Sequence, residues 1–331
     1  MPRVVSAGVP VQLRPHAPAR SAMRPAGRVG DRVLLGLCAL AGLLALAVLV
    51  EMVYQVVHGA GPAISKFGIG FLGHTAWRPN FGVFGALVPV FGTIVSSLIA
   101  LALAAPLGIA IAIYLGKLAP RSVRAVVGPL VEMLAAIPSV ILGFWGLIVL
   151  APFLARHVEP WLHSTFGFIP IFGHGQTTGL SIFTAGIVLS VMVVPIVASL
   201  SRDLFLTVPT ELEEGAEALG ATRWEVIRGV VLPSTASGVA AAIVLGLGRA
   251  LGETIAVAQV IGAGNSIHSS LFETGSTLAS RIALEFPNFD SPLHTQALFY
   301  LAVILLAIGV VTNLVAQAIA RRFDVHRLVA L

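Results

Sequence analysis

The 331 residues are 57% hydrophobic and only 11% charged, with a mean hydropathy of +0.95. A soluble domain carries charge on about a quarter of its residues, so lipid surrounds most of this chain and a water-soluble enzyme is excluded. The one cysteine, Cys38, rules out a disulfide framework, and the net charge of +5 is almost all arginine, with Lys66 and Lys117 the only lysines.

Backbone groups in a bilayer must bond to one another, which leaves helices or a closed barrel. The apolar runs are continuous and rich in Leu, Ala, Val and Ile, without the alternation of barrel strands, so an all-α polytopic membrane protein is expected. Residues 1–32 hold six arginines and one aspartate without apolar periodicity and read as a disordered tail. The run at 33–57 is too long for the apolar part of a signal peptide and reads as an uncleaved first span, followed by an external loop at 58–86. Five more spans fill a core at 87–320: Leu87–Leu115 with Pro89 and Pro106, Leu130–Leu154, Gly179–Leu200, Ser237–Gly262 and Ala297–Ala320. Each reaches the roughly 20 residues that a hydrocarbon core of about 30 Å requires. A short tail at 321–331 closes the chain.

Arginine and lysine set the orientation, because cytoplasmic loops hold them in excess. The N-terminal tail, the loops after the second and fourth spans and the C-terminal tail together hold fifteen. The other side has four: Lys66, Arg78, Arg156 and Arg281. Both termini are therefore expected in the cytoplasm. Arg249, the twentieth, lies inside a span.

The loop 201–234 is the longest inner connection. Thr210 with Glu213 predicts a capping box, and Glu211 sits in a first turn where the helix dipole favours it. Leu212, Ala216 and Leu219 share one helical face, Gly220 fits a left-handed cap, and a second short helix with Trp224, Ile227 and Val231 on one side ends at Pro233. Four glutamates (Glu211, Glu213, Glu214, Glu217) oppose an anionic leaflet, which favours a soluble protein partner over the lipid surface.

The run Glu214-Gly215-Ala216-Glu217-Ala218-Leu219-Gly220, then nine residues, then Val230-Val231-Leu232-Pro233, resembles the EAA loop of ABC importer permeases. Gly215 and Val230 are small departures from that pattern. The resemblance implies a type I ABC importer permease fold. It also implies that Glu214, Gly215, Ala216, Gly220, Leu232 and Pro233 couple to a separate ATPase subunit. No Walker A loop is present: the only Gly-Lys pair, Gly116-Lys117, has no glycine five residues earlier and is followed by leucine. ATP and magnesium are thus expected on the partner ATPase and no cofactor on this chain.

Within the fifth span, Arg249 and Glu253 lie four residues apart near mid-bilayer, where a charge costs at least about 2.5–3.5 kcal/mol. Two readings stand side by side. The pair can form a self-neutralising i,i+4 salt bridge, or Arg249 can compensate an anion on a substrate path, with Glu253 holding the arginine between transport events. Gly248 and Gly252 form a GxxxG pair that admits a close helix neighbour, such as a second permease.

Gly-Leu-Gly-Arg-Ala-Leu-Gly-Glu-Thr at 246–254, Ala136-Ile137-Pro138-Ser139-Val140 and Gly143-Phe144-Trp145-Gly146-Leu147 resemble the PstC family of phosphate-specific permeases. So do Ser270-Leu271-Phe272, Thr277-Leu278-Ala279-Ser280 and Glu285-Phe286; the likeness covers about residues 32–323. It implies import of inorganic phosphate through the bacterial inner membrane. The implied partners are a homologous PstA-like permease, two PstB-like ATPase subunits and an external PstS-like binding protein. It implies no covalent chemistry and no nucleic-acid partner. A sulfate or molybdate importer, an ion-coupled secondary transporter using Arg249 and Glu253, and a structural anchor are the alternatives. His157, His163 and His174 are irregularly spaced and read as loop residues rather than metal ligands, and Glu51 and Glu132 fall near span ends.

Overall fold

A computed structural model describes residues 27–173, 178–289 and 291–322. Those residues are helical throughout, apart from turns and one isolated bridge between Arg78 and Val83. Ten helices carry the architecture. These are α1 (Gly27–Phe67), α2 (Leu87–Leu118), α3 (Arg121–Ala135), α4 (Ser139–Phe166), α5 (Ile182–Leu206), α6 (Thr210–Ala218), α7 (Arg223–Gly252), α8 (Ile255–Val260), α9 (Leu278–Glu285) and α10 (Pro292–Arg322). Six of them (α1, α2, α4, α5, α7 and α10) are long and apolar enough to cross a bilayer. The chain divides into two compact units at Tyr54, so most of α1 is a unit by itself, and everything from Gln55 onward forms the main body.

Several predicted boundaries move. Helix α1 begins at Gly27 and runs to Phe67, so residues 27–32 of the expected tail and 58–67 of the expected loop are helical. Apolar residues continue past Val57, and Pro62 does not stop the helix. The expected third span at Leu130–Leu154 is two helices: α3 ends at Ala135, and Pro138 starts α4 with extended backbone. A proline biases its predecessor away from the helical region, and hydropathy alone does not register that break. The expected fifth span at Ser237–Gly262 also breaks, at Glu253, between α7 and α8.

Span α5 is the centre of the main body: 67% of its apolar window is buried, against 22–28% for the other main-body spans, so α2, α7 and α10 keep broad faces outward. The fit of α2 against α5 follows from a stripe at one-turn spacing, with Ser96, Ala100, Ala104, Gly108 and Ala112 all buried. Small residues every fourth position let two backbones approach where lipid supplies no hydrophobic drive between helices. On α7, Gly246 faces Val193 and Gly238 faces Leu204 of α5, which fixes the antiparallel register of those two spans.

Four turns widen from α to π geometry: Tyr114–Leu118, Gly146–Leu150, Leu154–Val158 and Ile227–Val231. Each is followed, two residues on, by a proline: Pro120, Pro152, Pro160 and Pro233. In each, the residue before the proline donates to the carbonyl five positions back, as Leu232 does to Ile227. A proline ring clashes with the carbonyl four residues earlier, and widening the turn swings that carbonyl aside. Pro233 therefore does not close the loop, as its sequence position suggests; α7 runs through it.

Candidate functional site

A cleft of about 890 Å³ opens between α5, α7 and α10. Ala241, Val244, Leu245, Gly248 and Arg249 line it from α7, and Arg249 is its one charged lining residue. With Gly246 against Val193 in antiparallel register, Arg249 stands level with about Ser190 of α5, eight residues from Ile182 and sixteen from Leu206. At 1.5 Å per residue those are about 12 and 24 Å, so Arg249, in the last turn of α7, lies within the depth that α5 spans and away from its basic end.

Glu253 is not its partner. Helix α7 ends at Gly252 and Glu253 takes extended backbone. The Glu253 carboxylate accepts from the Thr254 amide at 3.2 Å, while the Thr254 hydroxyl donates to the Gly252 carbonyl at 3.1 Å. These local bonds replace the helical ladder and turn Glu253 off the arginine's face. Among the described residues no ion pair joins the two, so the self-neutralising bridge and the ion-coupled reading lose the geometry they need. Among the described residues, nothing stands within 4 Å of a Cβ built at Gly248 or Gly252.

The second group of expected site residues lies at the far end of α7. Leu232 is seventeen residues before Arg249, or about 26 Å along the axis. Helix α6 carries Glu214, Gly215 and Ala216; Glu214 and Gly215 are exposed and Ala216 is half-buried. Leu219 and Leu212 are exposed at 92% and 53%, which leaves an apolar tip flanked by glutamates. Gly220 has φ +91°, and the amides of Gly220 and Ala221 donate to the carbonyls of Glu217 and Ala216. That pairing is a Schellman cap, which needs the left-handed residue that glycine supplies. Leu232 is half-buried and Pro233 exposed at the start of the regular part of α7.

The expected capping box at Thr210 and Glu213 is absent. Pro209 precedes α6 without a side-chain cap, and the Glu213 carboxylate instead accepts from Lys117 at the end of α2. The box that forms is one element later, where Thr222 and Glu225 cap α7. The Thr222 amide donates to the Glu225 carboxylate at 2.7 Å. That backbone bond, with the Thr222 hydroxyl, holds the carboxyl below its ordinary value. A depressed carboxyl stabilises above its unfolded pKa and loses that effect as pH falls through the folded one. The protection factor of the Thr222 amide in hydrogen exchange should accordingly fall on acidification below the usual carboxylate range. Glu225→Gln should show low protection at every pH.

Ion pairs tie the neighbouring helices at this end. Arg202 of α5 bonds Glu132 of α3 at 2.8 Å and Asp203 at 3.0 Å, which gives Glu132 a partner that its place near a span end did not suggest. Arg124 donates to the Gly116 carbonyl at 3.0 Å. At the opposite end a buried cluster escaped the sequence reading altogether. Arg281 of α9, only 4% exposed, donates to Glu285 at 2.9 Å, to the Ser276 hydroxyl at 2.8 Å and to the Gly264 carbonyl at 3.0 Å. Trp77 donates to Glu285 at 2.7 Å, and the His294 ring contacts the same oxygen at 2.8 Å. Burial pushes the Arg281 guanidinium below its usual value despite the carboxylate beside it. The i,i+4 spacing of Arg281 and Glu285 was the signal available in sequence. His163 contacts the Phe172 carbonyl and His157 that of Phe153, His174 lies outside the described residues, and no metal-holding group occurs among the described residues.

Residues 105–325 match the family described as "Binding-protein-dependent transport system inner membrane component". The chain is 43% identical over 279 residues to the phosphate transport system permease protein PstC of Pasteurella multocida (strain Pm70), covering 83% of this chain and 87% of that one. It is 42% identical over 288 residues to PstC of Mesorhizobium japonicum, covering 86% and 88%. It is 40% identical over 306 residues to PstC 2 of Mycobacterium bovis, covering 90% and 94%. Among solved structures, a chain of a bacterial alginate ABC transporter in complex with an alginate pentasaccharide-bound periplasmic protein superposes with a TM-score of 0.62 at 18% identity. That match covers 91% of this chain and 98% of the other, and it supports the type I importer permease fold alone. The chain belongs to the family of binding-protein-dependent transport system inner membrane components and, within it, to the PstC permeases.

Proposed function

We propose that this chain is the transmembrane subunit through which an ABC importer passes inorganic phosphate. The observation that carries the reading is Arg249, a guanidinium without a carboxylate partner among the described residues, facing an open cleft within the apolar spans. A charge in that place is costly unless it faces water, a partner or a transported ion. A planar guanidinium matches the oxygens of phosphate through paired hydrogen bonds. The PstC relatives are named for phosphate, in agreement with that chemistry.

The chain performs no covalent step in this reading. Helix α6, with Glu214, Gly215, Ala216 and the Gly220 cap, docks into a PstB-like ATPase subunit, one of two, which binds ATP and magnesium. A PstA-like permease supplies the other half of the passage, with Gly248 and Gly252 as its close-approach points, and a PstS-like protein delivers phosphate from outside. The basic end carrying α6 and Arg202 faces the cytoplasm, with both termini there, and the membrane is the bacterial inner membrane.

The test is ATP-driven uptake of radiolabelled phosphate by vesicles holding the whole assembly. Arg249→Gln should lower the rate at least about tenfold, the loss of one charge-assisted bidentate contact, while the subunits still copurify. Glu214→Lys should leave ATP hydrolysis and uptake unlinked. Normal uptake in both variants, or equal competition by sulfate or molybdate, would overturn the reading.

A further inference from the structure

Between Ala302 and Ala320, helix α10 is polar only along one stripe. Gly309, Thr312, Asn313, Ala316 and Gln317 recur at helical spacing, and all five line the Arg249 cleft. Val310, Val311, Leu314 and Val315, between them, are 51–59% exposed on the other faces. Polar side chains at membrane depth face a protein interior or a watered path, and here the segregation points them into the cleft.

The hydrogen-bond arrangement selects the kind of ligand. Gln317 donates its amide N–H to the Asn313 carbonyl oxygen at 3.3 Å, which occupies the Asn313 acceptor and leaves its two N–H donors available. Ser199, on the α5 wall, donates to the Ile196 carbonyl at 3.2 Å. Among the described residues no carboxylate lines the cleft, and Arg249 adds only donors. A guanidinium and amide N–H donors, with no negative charge beside them, suit an anion rich in acceptor oxygens.

Depth gives the stripe a direction. Asn313 lies 21 residues from Pro292 and nine from Arg322, or about 32 and 14 Å along the helix. It is therefore nearer the basic end than Arg249 is, and Gln317 is one turn nearer still. Resting on the phosphate reading above, we infer that Asn313 and Gln317 form the exit half of the anion path. A tetrahedral oxyanion leaving Arg249 passes to the Asn313 amide and then to Gln317.

The decisive experiment compares Asn313→Asp, Asn313→Gln and Arg249→Gln in the complete reconstituted assembly, with inorganic phosphate as the transported probe. Asn313→Asp is nearly isosteric but puts a fixed negative charge on the path. It should lower initial uptake about tenfold or more through like-charge repulsion, with all subunits still copurifying. Asn313→Gln, which keeps the amide but displaces it by one methylene, should lose clearly less uptake than Asn313→Asp. If Asn313→Asp transports normally while Arg249→Gln is impaired, the exit assignment fails and the phosphate reading stands. If Asn313→Asp expels the second permease from the complex, the stripe is a subunit interface and the exit assignment fails. If Arg249→Gln is also silent, the phosphate reading itself falls.

Discussion

Glu285→Leu should cost this protein about 3–5 kcal/mol, the penalty for leaving a buried charge without its counter-ion. Arg281 would keep its bonds to Ser276 and Gly264 but lose its one carboxylate partner among the described residues, and Trp77 and His294 would lose their shared oxygen. The cluster joins α9 and α10 to the segment around Trp77, so its loss should loosen that end of the main body as a unit. Thermal unfolding of the detergent-purified protein reads the effect directly. The double variant Arg281→Met/Glu285→Leu should recover part of the loss, because replacing both charges removes the unpaired ion. A double variant no better than the single would show that the hydrogen bonds, rather than the charge balance, hold the cluster.

Gly92→Val should be comparably severe, about 3 kcal/mol or more of overpacking. A Cβ at Gly92 would stand 2.1 Å from the Ser276 carbonyl oxygen, and backbone cannot rotate away as a side-chain tip can. The neighbouring Thr93 hydroxyl accepts from the Leu278 amide at 2.9 Å, so this turn of α2 seats the start of α9. Displacing it would break that bond as well. The same unfolding measurement decides it: a variant within about 1 kcal/mol of wild type would mean that the 276–278 segment shifts freely.

Spans were legible because lipid imposes a long, nearly uniform apolar signal that a single reading frame can detect. The breaks at Pro138 and Glu253 were not, since both fall inside apolar runs and are set by backbone geometry and local bonding. The α6 segment read correctly at its C-terminal end, where Gly220 dictates the conformation, and wrongly at its N-terminal end. Glu213 matched the capping pattern as well as Glu225 does, but α6 starts one residue early, with Thr210 already inside it after Pro209, and the Glu213 carboxylate goes to Lys117, 96 residues earlier. Arg249 was visible as a charge in a hydrophobic run, but its separation from Glu253 required knowing where the helix stops. The Trp77–Glu285 bond spans 208 residues and left no local trace at all.

The π turn at Ile227–Val231 also sets a compass bearing. Trp224 and Arg249 are 25 residues apart, a separation that returns a plain α-helix to nearly the same azimuth, within roughly 20°. The extra residue held in the widened turn moves everything beyond it by about 100°. Trp224, 59% exposed beside the α6 tip, and Arg249 in its cleft therefore look out in different directions from one continuous rod. Pro233, which imposes the widening, governs the heading of a guanidinium about 24 Å away along the helix axis.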